Sequence, residues 1–286
     1  MKKKINYFIQ AFIIYFLFFI GRILGLNLSR KFFALLFRIV GPYLKSKKVI
    51  NQNLKNYNKN LSLIDEKKII KDMWENYGMT FIEYIFLKQI RKSSSHINIE
   101  GKELLLEILR EKKPVIFISG HFANFELMSM EITKNNIPLA TIYRPLNNIF
   151  LNPFMEYLRK KYICKYQIKK GLSGVKDAIN YINKEYSIAL MIDQRVGESD
   201  RYNFFDKLAH TTSLPAQLSI KFDLNVIPVF IKREKDNKFT VKFYEKINPK
   251  NFDYNKRKIT EKLNRVLEQM VVKNPNQWIW THDRWK

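Results

Sequence analysis

The chain is poor in cysteine, in glycine and, over its first stretch, in acid. A single Cys among 286 residues excludes a disulfide framework and any multi-cysteine metal site. Nine glycines cannot sustain a repetitive or collagen-like chain. No Asp or Glu precedes Asp65, whereas twelve Lys or Arg do. Familiar chemical patterns are missing as well: there is no GxxxxGK phosphate loop, no GxGxxG, no HExxH and no GxSxG elbow. The common routes to nucleotide hydrolysis, zinc proteolysis and serine hydrolysis lose their support. What is plentiful is apolar surface, 46% of residues with 14% aromatic, which excludes intrinsic disorder. The length suits one large domain or two small ones.

The formal net charge is +25. Of the 51 basic residues 38 are Lys, and the chain is heavy in Asn and Ile, a bias that an A/T-rich genome imposes on any surface. The distribution says more than the total. A one-sign block over residues 1–64 points to an anionic partner: lipid head groups, nucleic acid or an acidic protein.

Lys2-Lys3-Lys4 precedes an apolar run from Tyr7 to Ile20, broken only by Gln10. No small-residue cleavage site follows it, so a cleaved signal peptide is a poor reading. As a spanning helix it is short of the roughly 20 residues required, and Arg22 would have to snorkel. A second apolar segment, Phe32 to Leu44, is set among cations and resembles a helix lying in a membrane interface. Two buried amphipathic helices in a soluble protein are the alternative. Membrane attachment is the expectation, with orientation left open by cations on both sides.

Helical spacing continues from Leu61 to Lys92, with Ser62 before Asp65 and Glu66 as its start. Strands and helices then alternate. Strands are expected at 96–100, 114–119, 139–143, 187–192, 226–231 and 240–244, and helices at 104–110, 122–134, 149–161, 175–182, 213–222 and 259–270. Continuous apolar strands such as Val115-Ile116-Phe117-Ile118 suit a sheet covered on both faces. The division expected is a membrane-anchoring helical region (1–48), a helical lead-in (49–92) and an α/β domain (93–286).

Ser119-Gly120-His121-Phe122-Ala123-Asn124-Phe125-Glu126 directly follows an apolar strand. A His there lies at the rim where α/β proteins place ligands. Five residues of helix turn about 500°, so His121 and Glu126 share no face inside one helix. They meet only if His121 precedes the first turn, with Gly120 free to bend. Glu126 then fixes the imidazole tautomer, and the other ring nitrogen acts as general base on a substrate hydroxyl. A structural His capping the helix start is the other reading.

This block resembles the H-x4-D/E element of glycerolipid acyltransferases, and its surroundings are similar to the lipid A biosynthesis lauroyl/myristoyl acyltransferase family of Gram-negative bacteria. Tyr143-Arg144-Pro145, Asp193-Gln194-Arg195, Phe204-Phe205, Ala209-His210-Thr211-Thr212 and Pro228-Val229-Phe230 follow in the family's order. The closing Trp278-Ile279-Trp280-Thr281-His282-Asp283-Arg284-Trp285 is similar too. The resemblance covers nearly the whole chain. Two positions depart from it: Asp206 and Leu214 stand where the family commonly has Gly.

The resemblance implies a glycerolipid acyltransferase-like mixed α/β sheet flanked by helices behind a hydrophobic anchor. It implies acyl transfer from acyl carrier protein, or from coenzyme A, to a hydroxyl of a lipid A precursor. The reaction occurs at the cytoplasmic face of the inner membrane and requires no metal or cofactor. His121 is the base and Glu126 its orienting partner. Arg144 and Arg195 are expected on phosphate, or in surface salt bridges, and Asp193 and Gln194 hold the loop or the acceptor sugar. Anionic lipids and an acidic carrier protein are the expected partners, with no nucleic acid. Other acceptors (a lysophospholipid, a glycolipid, an ornithine lipid) are the rival within this chemistry. A basic binding protein with a structural His121 is the rival outside it.

Overall fold

The computed structural model describes residues 2–195 and 199–286. It opens with α1 (Lys2–Leu44), interrupted at Gly25, whose φ of 70° is open to glycine without steric cost. Then come α2 (Lys47–Tyr57) and α3 (Leu63–Glu83). Ser62 caps α3 by accepting from the Asp65 N–H, 3.1 Å away, as its spacing predicts. α3 packs along α1 and α4 (Leu87–Lys92) follows it, so the amino-terminal helices and the α/β body share one core.

The body alternates β1 (Ile97–Glu100), α5 (Lys102–Glu111), β2 (Ile116–Ser119), α6 (Glu126–Lys134), β3 (Leu139–Tyr143), α7 (Asn152–Tyr162), β4 (Tyr166–Lys169), α8 (Leu172–Ile182) and β5 (Ser187–Met191). A hairpin, β6 (Arg201–Phe204) and β7 (Lys207–His210), precedes α9 (Leu214–Phe222), β8 (Val226–Arg233), β9 (Phe239–Phe243) and α10 (Lys256–Lys273). The main sheet runs β1-β9-β8-β2-β5-β3-β4. β8, β2, β5, β3 and β4 are parallel; β9 is antiparallel to β8 and parallel to β1. The sheet is mixed and flanked by helices, as expected.

Burial follows from position. β2 lies between β8 and β5 and has no solvent face, hence its unbroken apolar run. Phe117 joins the layer built on α1, α4, α5, α6 and α7, while Ile116 and Ile118 join that of α2, α8, α9 and α10. Two features differ from expectation. The edge strand β4 buries only Ile168, too little apolar signal to announce itself. The β6–β7 turn places Phe205 and Asp206 at φ of 52° and 54°, values that glycine would normally supply. Asp206 is one of the two positions where the resemblance implies glycine, and the left-handed turn gives a physical reason for that expectation.

Candidate active site at the carboxyl ends of four strands

Because β2, β5, β3 and β4 are parallel neighbours, their carboxyl ends open on one rim. His121 follows β2, Asp193 and Gln194 follow β5, Arg144 follows β3, and Lys170 follows β4. The pairing Ser119↔Met191 sets the register, and two residues further His121 stands opposite Asp193.

His121 Nδ1 lies 2.6 Å from Asp193 Oδ1, and the His121 backbone N–H donates to Oδ2 at 2.6 Å. Trp278 Nε1 also donates to Oδ2, at 2.9 Å. Burial alone would raise the Asp193 pKa; the His121 ring and these donors outweigh it and hold the carboxyl at about 2. An ionised Asp193 on Nδ1 puts the proton there and leaves Nε2 as the acceptor facing the cavity. Gly120 permits the approach: a Cβ there would meet Phe122 at 2.8 Å, Leu267 at 2.9 Å and Asp193 Oδ2 at 3.2 Å.

The loop holding His121 is fixed on every side. Ala123, at φ 45°, accepts through its carbonyl from Thr80 Oγ1 (3.0 Å) and Asn76 Nδ2 (3.3 Å), and its N–H donates to Gln277 O (3.0 Å). Asn124 Nδ2 donates to Glu83 (2.9 Å), which also binds Arg30 and Arg233 in a closed ionic cluster. Burial would raise the Glu83 pKa, but the two guanidinium charges and their hydrogen bonds lower it below the ordinary value.

The expected pairing of His121 with Glu126 is not formed among the described residues. α6 begins at Glu126, so His121 does precede the first turn, as that pairing required. The Glu126 carboxylate instead accepts from Arg159 Nε at 2.7 Å and from the Tyr84 hydroxyl. Its charge is taken by Arg159, a full guanidinium, and the carboxylate on His121 is Asp193. Both Glu126 and His121 still line the same cavity.

That cavity has a volume of about 710 Å³. Ile142, Leu172, Val175, Leu190 and Leu214 supply apolar wall; Arg144, Arg159 and Lys170 supply cations. Arg144 is exposed at the rim and makes no ion pair among the described residues. Partial burial and the Arg144 charge lower the Lys170 pKa, with Asp193 acting against them. Two cations on adjacent strand ends form an anion-attracting corner. Arg195 is exposed one residue past Gln194 and is not part of the cavity wall.

Gln194 and His282 complete the rim. The Gln194 amide nitrogen is 3.0 Å from His121 Nε2 and 3.0 Å from His282 Nε2, bridging the two rings. Burial drives the His282 pKa down to about 4, so its ring is neutral beside His121. Arg284, in the same closing segment, is fully buried and donates to His210 O, Thr211 and Asn264, with its guanidinium 4.0 Å over Phe204. It fastens the carboxyl terminus to the hairpin. Sequence reasoning placed Asp193 and Gln194 together after one strand, read His282 within a closing segment that favours packing, and did not single out Lys170 or Arg159. A register argument between two neighbouring parallel strands would have brought Asp193 to His121.

Fold and rim together define an α/β protein whose His–Asp pair opens into a cavity of mixed apolar and cationic wall. The chain belongs to the bacterial lipid A biosynthesis acyltransferase family, whose profile matches residues 2–286. Over 184 residues it is 22% identical to lipid A biosynthesis acyltransferase 2 of Shigella flexneri, a stretch that is 63% of this chain and 58% of that relative. The chain thus spans less than two thirds of that relative's length. Among solved structures it aligns with the 1-acyl-sn-glycerophosphate acyltransferase PlsC of Thermotoga maritima. The identity is 16%, the coverage 89% of this chain and 96% of that one, and the TM-score 0.42.

Proposed function

We propose that this protein transfers a fatty acyl group from a thioester donor, acyl carrier protein or coenzyme A, to a hydroxyl of a lipid A precursor. The observation that carries the proposal is the His121–Asp193 pair, whose Nε2, met by the Gln194 amide, lies at a cavity lined by apolar side chains and cations. Asp193 orients the ring and stabilises the imidazolium that forms. His121 Nε2 takes the proton from the acceptor hydroxyl as its oxygen attacks the thioester carbonyl. The tetrahedral intermediate expels the donor thiolate, which recovers the proton from the imidazolium. In this cycle the Gln194 amide occupies the position of the hydroxyl proton and yields it when the acceptor binds. Arg144 and Lys170 suit the phosphate of the acceptor or of the carrier's prosthetic arm. Glu126 and Arg159 line the cavity as a fixed ion pair, so Glu126 shapes the pocket and bears on His121 only through it.

Membrane attachment belongs to the same proposal. α1 is the one helix among the described residues long and apolar enough to cross a bilayer. It is apolar all round: Ala11, Phe18 and Phe33 are buried in the body, while Phe8, Phe12, Phe16, Phe19 and Ile23 are exposed. A helix of that kind needs an apolar medium on its second face. With Lys2–Lys4 beside it, the cytoplasmic leaflet of the inner membrane is the medium proposed.

The test is mass spectrometry of total lipids from cells lacking the gene, alone or complemented by wild type or His121→Ala. The expected result is lipid A lighter by one acyl chain, restored by wild type only. Unchanged lipid A with a shifted phospholipid or glycolipid would replace the acceptor, and no lipid change in any class would overturn the proposal.

A further inference from the structure

The eight residues after β3 tie two parts of the molecule together. At one end Arg144, Pro145, Leu146 and Asn147 line the cavity. At the other, Asn148 Nδ2 donates to the Tyr7 carbonyl at 2.8 Å, and the Phe150 carbonyl accepts from the Tyr15 hydroxyl at 3.0 Å. Phe8, part of the exposed stripe of α1, meets Phe150 edge to face with ring centroids 5.6 Å apart. The stripe therefore continues off the helix onto this loop, where Ile149 is 53% exposed and Phe150 40%.

We propose that the loop 146–150 is a second membrane-inserting element, which with α1 seats the cavity mouth in the head-group layer so that a lipid acceptor enters sideways from the bilayer. The proposal rests on the membrane reading of α1 and extends it to a segment outside the amino-terminal region. Three observations favour a bilayer as the occupant. The patch is continuous with the outer face of α1 through Phe8 and Phe150. No Asp or Glu occurs between Glu131 and Glu156, nor anywhere in α1, so neither the loop nor the helix itself carries a carboxylate to oppose anionic head groups. Cations stand at its borders: Lys2–Lys4 at the start of α1, Arg144 at the cavity and Lys161 beside the exposed Tyr157. The contacts of Tyr7, Phe8 and Tyr15 with this loop also hold the first half of α1 against the body. That geometry fits a helix lying in one leaflet, with its outer face in lipid.

The single native cysteine makes the test direct. In a full-length Cys164→Ser background, a nitroxide is attached at Phe12→Cys, Ile149→Cys or Val272→Cys, all exposed positions. Each protein is added to vesicles of phosphatidylethanolamine and phosphatidylglycerol, and collision with oxygen and with a water-soluble nickel chelate is measured. The expected result is that Phe12 and Ile149 labels both become oxygen-accessible and chelate-shielded on binding, while Val272 on α10 stays in water. An Ile149 label left in water while Phe12 enters lipid would overturn this proposal and leave the membrane reading of α1 intact. If Phe12 also stays in water, both fall. As a second readout, Ile149→Glu should weaken vesicle partitioning by roughly tenfold or more, since burying such a side chain is worth one to two factors of ten. Unchanged partitioning would contradict insertion.

Discussion

Two buried carboxylates sit within reach of the same loop, and they are used in opposite ways. Glu83 is fully enclosed, with both oxygens held by Arg30, Arg233 and Asn124. Asp193 is almost as buried, at 2% exposure, but its partner His121 keeps one nitrogen in a cavity. Both acids are lowered in pKa against the penalty of burial, so perturbation alone does not separate them. Access does. A buried ion pair whose members are all closed off sets geometry; one with a single open atom can move a proton.

The comparison can be broken most decisively at Asp193. Asp193→Asn should lower kcat by roughly 10³–10⁴-fold, because the tautomer and the imidazolium both lose their support. Circular dichroism should show the fold retained; near-normal kcat in the folded variant would remove Asp193 from the mechanism. Glu83→Gln should do the reverse. Two buried guanidinium groups would share one neutral partner, and chemical denaturation should show a loss of about 3–5 kcal/mol. A kcat defect at Glu83 as large as that at Asp193 would erase the distinction.

Acid sharpens the contrast within the rim. The His282 pKa falls from 6.5 to about 4, so the unfolded chain binds more protons between those values. Its contribution, on the order of 3 kcal/mol, is full above pH 6.5 and lost as pH falls toward 4. Asp193 is depressed from 3.8 to about 2, so its contribution of about 2 kcal/mol is full above pH 4 and lost as pH falls toward 2. Melting curves across pH should lose stability in two successive windows, and His282→Gln should make the upper one shallower, the remainder belonging to His96, whose pKa burial also lowers. The smallest effect belongs to the hairpin. Asp206→Gly relieves a left-handed backbone and should raise stability by about 0.5–1 kcal/mol with kcat unchanged.

Most of the layout was legible because it is written in local pattern. β2 reads as a buried strand from Val115-Ile116-Phe117-Ile118, and Ser62 announces α3. His121, Arg144, Asp193 and Gln194 were recognisable as strand-end residues, and the structure gathers them on one rim. What the sequence withheld is which carboxylate meets His121. Glu126 is five residues away and Asp193 seventy-two, and only the β2–β5 register makes the distant one adjacent. Arg159 was equally hidden: nothing near it in sequence signals that it reaches from α7 to take the charge of Glu126.

The central claim is that His121 donates from Nδ1 to Asp193. Four histidines make the imidazole spectrum assignable by substitution. The measurement is proton NMR of nitrogen-15 histidine-labelled protein in detergent, wild type beside Asp193→Asn and Glu126→Gln. A far-downfield His121 Nδ1 proton should be present in wild type, persist in Glu126→Gln and vanish in Asp193→Asn. Persistence in Asp193→Asn with loss in Glu126→Gln would contradict the account and return Glu126 to the base.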